Sequence, residues 1–195
     1  MLILVSQPIA MDEIVKSLIR VLPFAVVLIV LAIRVRQGKL TREALVLHAP
    51  VSNGRFCLWY FGYLFFWIGL EFTLYHNGLL TANPWHHPLL PSIIRITGAV
   101  VLAPIAEELL FRALILNFFT KKMAMPLAIA LQAIFFVALH NYTYQNTFDS
   151  NLGIAQGLFD ATLYAMARYH TRSIYTPIAM HMTGNAIATI ERFIL

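Results

Sequence analysis

Residues 93–116 read IIRITGAVVLAPIAEELLFRALIL, an almost wholly apolar run into which Glu107, Glu108 and Arg112 have been placed within six positions. At a rise of about 1.5 Å per residue, about 20 apolar residues cross the hydrocarbon core of a bilayer, so the run is long enough for a spanning helix. An ionisable group at that depth costs about 2.5–3.5 kcal/mol on insertion scales, so three of them need partners or a chemical task. On a regular α-helix, Glu108 and Arg112 are four apart and share a face, the usual spacing of an ion pair. Glu107 points about 100° away from Glu108 and has no evident partner on its own helix. Pro104, one turn earlier, cannot donate a backbone hydrogen bond, which predicts a kink or a loosened turn. A carboxylate beside such a break predicts a wet cavity and a perturbed proton affinity.

The rest of the chain is a fitting host for that helix. Of 195 residues, 59% are hydrophobic and 12% charged, with a mean hydropathy of +0.72. Soluble domains are about 45–50% apolar and roughly 25% charged, and a chain this short exposes much of its surface. A water-soluble enzyme and a disordered regulator are thereby excluded. Cys57 is the single cysteine, which excludes an intramolecular disulfide and a cysteine-based zinc cluster and leaves it as an apolar filler. Five further apolar stretches, at 14–33, 56–75, 124–142, 152–169 and 175–194, are of spanning length. The alternating ten-residue pattern of a β-barrel is absent, as are internal repeats, and no cleavable signal peptide is expected at the N-terminus. The expected fold class is all-α, a polytopic transmembrane bundle of about six spanning helices forming a single integral-membrane domain over residues 1–195.

The net charge of +5 is distributed as a topology signal. Arg34, Arg36, Lys39, Arg42 and Arg55 fall in the first connection, Lys121 and Lys122 in the third, and Arg168 and Arg172 in the fifth. The second connection, 76–92, and the fourth, 143–151, have no Lys or Arg. By the positive-inside rule the odd connections are cytoplasmic and both termini lie outside. Lys16 and Arg20 sit near the outer end of the first helix, where snorkelling can accommodate them. No nucleic-acid partner is expected; the basic surplus faces a lipid bilayer. Asn83-Pro84-Trp85-His86-His87-Pro88 reads as an external interfacial loop with a tryptophan anchor.

Two later segments carry matching polar groups. Phe136 and His140 lie one turn apart near the end of the fourth stretch, and His181 and Asn185 lie one turn apart in the sixth. Counted from the expected cytoplasmic ends, Glu107 and His140 sit at about 15–25 Å and His181 and Asn185 at about 10–15 Å, compatible with one intramembrane site if helices tilt. Glu, His, His and Asn in a low-dielectric pocket suit peptide-bond hydrolysis. A carboxylate can take a proton from water as it attacks a carbonyl, and imidazole and carboxamide N–H groups can donate to the resulting oxyanion. The same set could instead hold a divalent metal such as zinc, with Glu107, His140 and His181 as ligands. Asp160, inside the fifth stretch, reads as a structural polar contact, with a proton relay or a contact to Arg112 as alternatives. No GxGD sequence and no serine elbow are present, against an aspartyl or rhomboid-type site.

At these residues the sequence resembles the CPBP family, also called the CAAX protease and bacteriocin-processing or Abi family, which includes the Rce1-type prenyl-protein endopeptidases. Its motifs EExxxR, FxxxH and HxxxN/D read here as Glu107-Glu108-x-x-x-Arg112, Phe136-x-x-x-His140 and His181-x-x-x-Asn185, in the family order. Ala103-Pro104-Ile105-Ala106 and Pro177-Ile178 look like the family too, while Ala113 departs from the glycine that many members have after the arginine. The resemblance covers about residues 97–190. It implies an intramembrane glutamic endopeptidase that needs no cofactor and cleaves a membrane-associated peptide or protein. Glu107 and His140 would activate water, His181 and Asn185 would stabilise the oxyanion, and Glu108 and Arg112 would support that geometry. Prenylated CAAX tails, leader peptides and C-terminal membrane anchors all remain open as substrates. A non-catalytic membrane protein for bacteriocin immunity or partner binding is the alternative reading, and a small transporter or proton pathway a third.

Overall fold

The computed structural model describes residues 3–79, 84–140 and 147–194. The expected end of the fourth stretch at 141–142, residues 143–146 of the fourth connection and Asn83 of the second lie outside them. All regular structure among the described residues is helical: α1 Ile3–Arg36, α2 Asn53–His76, α3 Leu89–Thr120, α4 Met125–His140, α5 Phe148–Thr171 and α6 Tyr175–Ile194. Each contains one of the six expected stretches as far as the described residues reach, except that α4 begins one residue after the expected start at Ala124.

Three of these helices have candidate membrane spans, Met11–Arg36 in α1, Asn53–His76 in α2 and Leu89–Thr120 in α3, and α4 is a shorter apolar helix. The most apolar window of α1 is not buried at all inside the protein; Leu18, Ile19, Leu22 and Ile29 are all exposed. A helix that is apolar all round needs an apolar surrounding, and lipid tails supply it as well as protein does. Helices α5 and α6 have the expected spanning length but are not among these candidate spans. Gln156, Asp160 and Arg168 interrupt α5, and His181, Asn185, Glu191 and Arg192 interrupt α6. Cys57, expected as a filler, is exposed on α2.

The chain forms two compact units: residues 1–39, 61–106 and 179–195, and residues 40–60 and 107–178. In the first, α1 and the early part of α3 approach closely at Gly98, where an added Cβ would fall inside the van der Waals envelope of the Val21 side chain. The apolar contact is flanked by a polar one. Arg95 donates to Ser17 Oγ at 2.8 Å and to Glu13 Oε2 at 3.0 Å, and His87 Nδ1 lies 3.1 Å from the same carboxylate oxygen. Lys16 pairs with Asp12 and Glu13 on its own helix, which accommodates it near the start of α1. Trp85 stacks on Phe193 and donates through its indole N–H to Ser92, so the 84–88 segment is anchored by its tryptophan.

In the second unit, Phe111, Ala133, Phe136 and Ala161 form one buried cluster and Leu116, Ala128 and Ala165 another. Alanine on α4 and α5 lets the helix backbones approach, the membrane solution to packing without large side chains. The 40–52 connection is not loose. The Ile174 N–H donates to Val46 O at 3.2 Å, the Val51 N–H to Thr171 O at 3.0 Å, and Ser173 Oγ to His48 O at 2.6 Å.

Gly98→Ala is expected to lose about 1–3 kcal/mol of stability by overpacking against Val21. Gly62→Ala, at a site with open space, is expected to lose none. Thermal unfolding of both variants in detergent checks the difference.

Candidate active site

Helix α3 is not uniformly α-helical. Residues Gly98–Leu102 and Glu108–Ile115 follow the wider π-helical path: the Ala103 N–H donates to Gly98 O and the Leu116 N–H to Phe111 O, both spanning five residues. Such i→i+5 segments are rare and often mark functional sites. For the first of these segments the local cause lies in Pro104, which has no N–H and whose ring opposes the carbonyl four residues earlier. One carbonyl is orphaned as a result. In an α-helix Ala99 O would accept the Ala103 N–H, which is bonded to Gly98 instead; in the wider turn its donor would be residue 104, a proline. Asn185 on α6 fills the gap, donating Nδ2–H to Ala99 O at 2.8 Å. His181, one turn earlier on α6, is buried. Both belong to the first unit.

The other site residues belong to the second unit. Glu108 and Arg112 lie 3.0 Å apart and both side chains are 0% exposed, so the expected ion pair forms even though the segment between them is π-helical. The Arg112 guanidinium faces three aromatic rings, Phe136 at 4.5 Å, Tyr164 at 5.2 Å and Phe111 at 5.9 Å from their centroids. A cation in this setting is held by its counter-charge and by the negative faces of the rings. Phe136 then carries the arrangement onward: Arg112 covers its ring, and the His140 imidazole stacks on it at 4.2 Å.

Two contacts fix that imidazole. Nδ1 lies 2.7 Å from Phe136 O; a carbonyl only accepts, so Nδ1 carries the hydrogen. Nε2 is thereby turned to Glu107 Oε1 at 3.3 Å. A hydrogen bond between those two atoms requires one proton, on the carboxyl or on the imidazole, so the pair is a place where a proton can be held and exchanged. The Glu107 side chain is 11% exposed and that of His140 46%: the acid is shielded, while the imidazole is open. The carboxylate expected to have no partner on its own helix finds one on α4.

The structure thus brings Glu107 to His140 and Glu108 to Arg112, and it sets His181 and Asn185 a turn apart on α6. Asp160 is half-buried on α5. Among the described residues no three His, Cys, Asp or Glu side chains are grouped as a metal site would require. Sequence reading missed the Ala99 carbonyl, whose signal is a proline five residues on, meaningful only in the wider helix. It also missed Tyr164 as a wall of the arginine cage and the wholly buried Gln132 on α4; no spacing rule marks either.

A family model described as type II CAAX prenyl endopeptidase Rce1-like matches residues 89–187, which begins at the first residue of α3 and takes in every residue of the three motifs. No curated protein matches the chain, and no solved structure does.

Arg112→Met is expected to lose about 3–5 kcal/mol, because it leaves the Glu108 carboxylate buried without its counter-charge; adding Glu108→Gln should recover part of that loss in thermal unfolding. Asn185→Ala is expected to lose about 1 kcal/mol by abandoning the Ala99 carbonyl. In a Pro104→Ala background, where residue 104 regains an N–H, the same substitution should lose little, which a double-mutant cycle in unfolding temperature measures.

Proposed function

We propose, from the premise that this chain belongs to the Rce1-like type II CAAX prenyl endopeptidase family, that it is an intramembrane endopeptidase hydrolysing a peptide bond of a membrane-associated peptide or protein through a water activated by Glu107. The family supports a membrane protease; the observation that carries the finer reading is the Glu107–His140 contact, an acid and a base sharing one proton beside a break in a membrane helix. In this mechanism Glu107 takes a proton from water as the water oxygen bonds to the scissile carbonyl carbon. The charge that develops on the carbonyl oxygen is stabilised by N–H donors, the roles assigned to His181 and Asn185. The C–N bond then breaks, and the proton held by the Glu107–His140 pair passes to the departing nitrogen, leaving a carboxylic acid and an amine. Glu108 and Arg112 hold the helix that carries Glu107, and through Phe136 they hold His140.

The reaction as written uses no cofactor. A divalent metal held by Glu107, His140 and His181 is the competing way to activate the same water. The positive-inside pattern assigns the odd connections to the cytoplasm and both termini to the outside in a multi-pass arrangement.

Glu107→Gln removes the proton acceptor while keeping shape, and is expected to lower cleavage at least about 100-fold with expression and membrane insertion unchanged. Terminal proteomics on membranes carrying the wild type or this variant checks it: protein termini found only with the wild type name the substrate, and identical termini favour an immunity or partner-binding role. Once a substrate is in hand, cleavage should persist in a chelator; loss that zinc restores would move the assignment to the metal-dependent form.

A further inference from the structure

Helices α1 and α2 end in the same way. Gly38 and Gly78 adopt positive φ of 67° and 66°, and the next N–H in each case closes a six-residue cap, Lys39 to Arg34 O at 3.0 Å and Leu79 to Leu74 O at 2.9 Å. The end of α5 puts an arginine in the equivalent left-handed conformation: Arg172 follows Thr171 with φ 51°. Glycine adopts that conformation without a Cβ clash and arginine does not. The surroundings leave the backbone little choice, since Thr171 O accepts the Val51 N–H, the Ile174 N–H donates to Val46 O, and Ser173 Oγ donates to His48 O. An arginine held against its backbone preference in a pinned turn points to a use for the side chain.

That side chain lines an open depression of about 450 Å³ together with Val51, Ser52 and Arg55. An adjoining depression of about 350 Å³ shares both arginines and adds Leu58, Trp59, Tyr169 and His170. Every one of these residues lies in the second unit. Among the described residues neither guanidinium has a carboxylate within ion-pair distance; Arg55 donates to the His170 carbonyl at 3.1 Å. Ser52 Oγ accepts the Arg55 N–H at the start of α2 and keeps its own hydroxyl proton to offer. Two planar guanidiniums and a hydroxyl match the donor needs of a phosphate better than those of a single carboxylate.

The rim identifies the source of the phosphate. Leu58 is 73% exposed and Val51 and Tyr169 are about half exposed, and Trp59 meets His170 edge-on at 5.4 Å. The depression lies at the first residues of α2, a helix apolar enough to cross a membrane, which is headgroup level, where Trp and Tyr collect. A free phosphate would satisfy the arginines and leave the apolar rim bare; a phospholipid satisfies both. We propose that Ser52, Arg55 and Arg172 bind the phosphate of an anionic phospholipid whose chains lie along Leu58 and Tyr169. The proposal is independent of the hydrolytic reading, because lipid binding is measured without cleavage.

The test is thermal unfolding of the full chain in neutral detergent, titrated with phosphatidylglycerol, phosphatidylcholine or inorganic phosphate. Phosphatidylglycerol is expected to raise the midpoint saturably, and the other two are expected to have little effect at the same concentration. Arg172→Gly should unfold, without lipid, at or above the wild-type temperature, because it relieves the backbone, yet its apparent affinity for phosphatidylglycerol should fall about fivefold, the worth of one cation at the headgroup level. Arg55→Gln should show the same loss, and Arg172→Asn, which tolerates the left-handed backbone, should match the glycine variant. An undiminished response in the Arg55→Gln, Arg172→Gly double variant overturns the proposal. So does an equal response to phosphatidylcholine, and so does one reproduced by inorganic phosphate, which would make this a site for a free anion. A lipid-free midpoint lowered by Arg172→Gly would show that the side chain serves the fold, and would also overturn it.

Discussion

The guanidinium of Arg112 has no exposure at all, and much of the second unit is arranged to make that tolerable. A buried charge is held only if a counter-charge and favourable faces surround it. Glu108 supplies the first from the same helix, and Phe111, Phe136 and Tyr164 supply the second from α3, α4 and α5. The arrangement ties three helices to one point. It also reaches the end of α4, because Phe136, whose ring lies under Arg112, makes two contacts with His140: its ring as a stacking surface and its carbonyl as the acceptor for Nδ1–H. Glu107 therefore meets a particular nitrogen of His140, Nε2, because Phe136 O, one turn back on α4, engages the other.

A second constraint acts on the backbone. Where water is scarce, each peptide group needs a partner within the protein. Pro104 withdraws one donor, the helix widens around it, and the Ala99 carbonyl is left for another helix to satisfy. Asn185 accordingly has a structural task alongside the oxyanion role proposed for it. One carboxamide N–H is engaged by Ala99, which orients the group, and the second remains as a donor. A break in a membrane helix thus becomes the means of positioning a side chain on α6.

The sequence made several of these features legible. Spanning length, the ion pair of Glu108 and Arg112, the family and the six helices follow from apolar run length, four-residue spacing and three ordered motifs, all properties of the chain read locally. The four-residue spacing of Phe136 and His140 was readable; the stacking of the imidazole on that ring, and the guanidinium over it, were not. Less was readable in α5 and α6, whose polar positions make them less apolar than the other helices, and in Cys57, which is exposed on α2 because its position on the helix, and not its residue type, decides what it faces.

What the sequence determined by itself is which groups must be accommodated: three ionisable side chains within six positions of one apolar helix, a proline one turn before them, and histidines spaced one turn from a phenylalanine or an asparagine. Run length and residue spacing are enough for that, because the cost of burying a charge or losing a backbone donor depends on the residue and its solvent. What only the tertiary structure decided is how each group is accommodated. The turns around Pro104 widen to five-residue hydrogen bonds, Glu107 finds His140 across helices, a cage of three rings closes on Arg112, and Arg172 is held in a glycine-like turn. These depend on which atoms of distant segments arrive within about 3–5 Å of one another, and no local period in the chain encodes that distance.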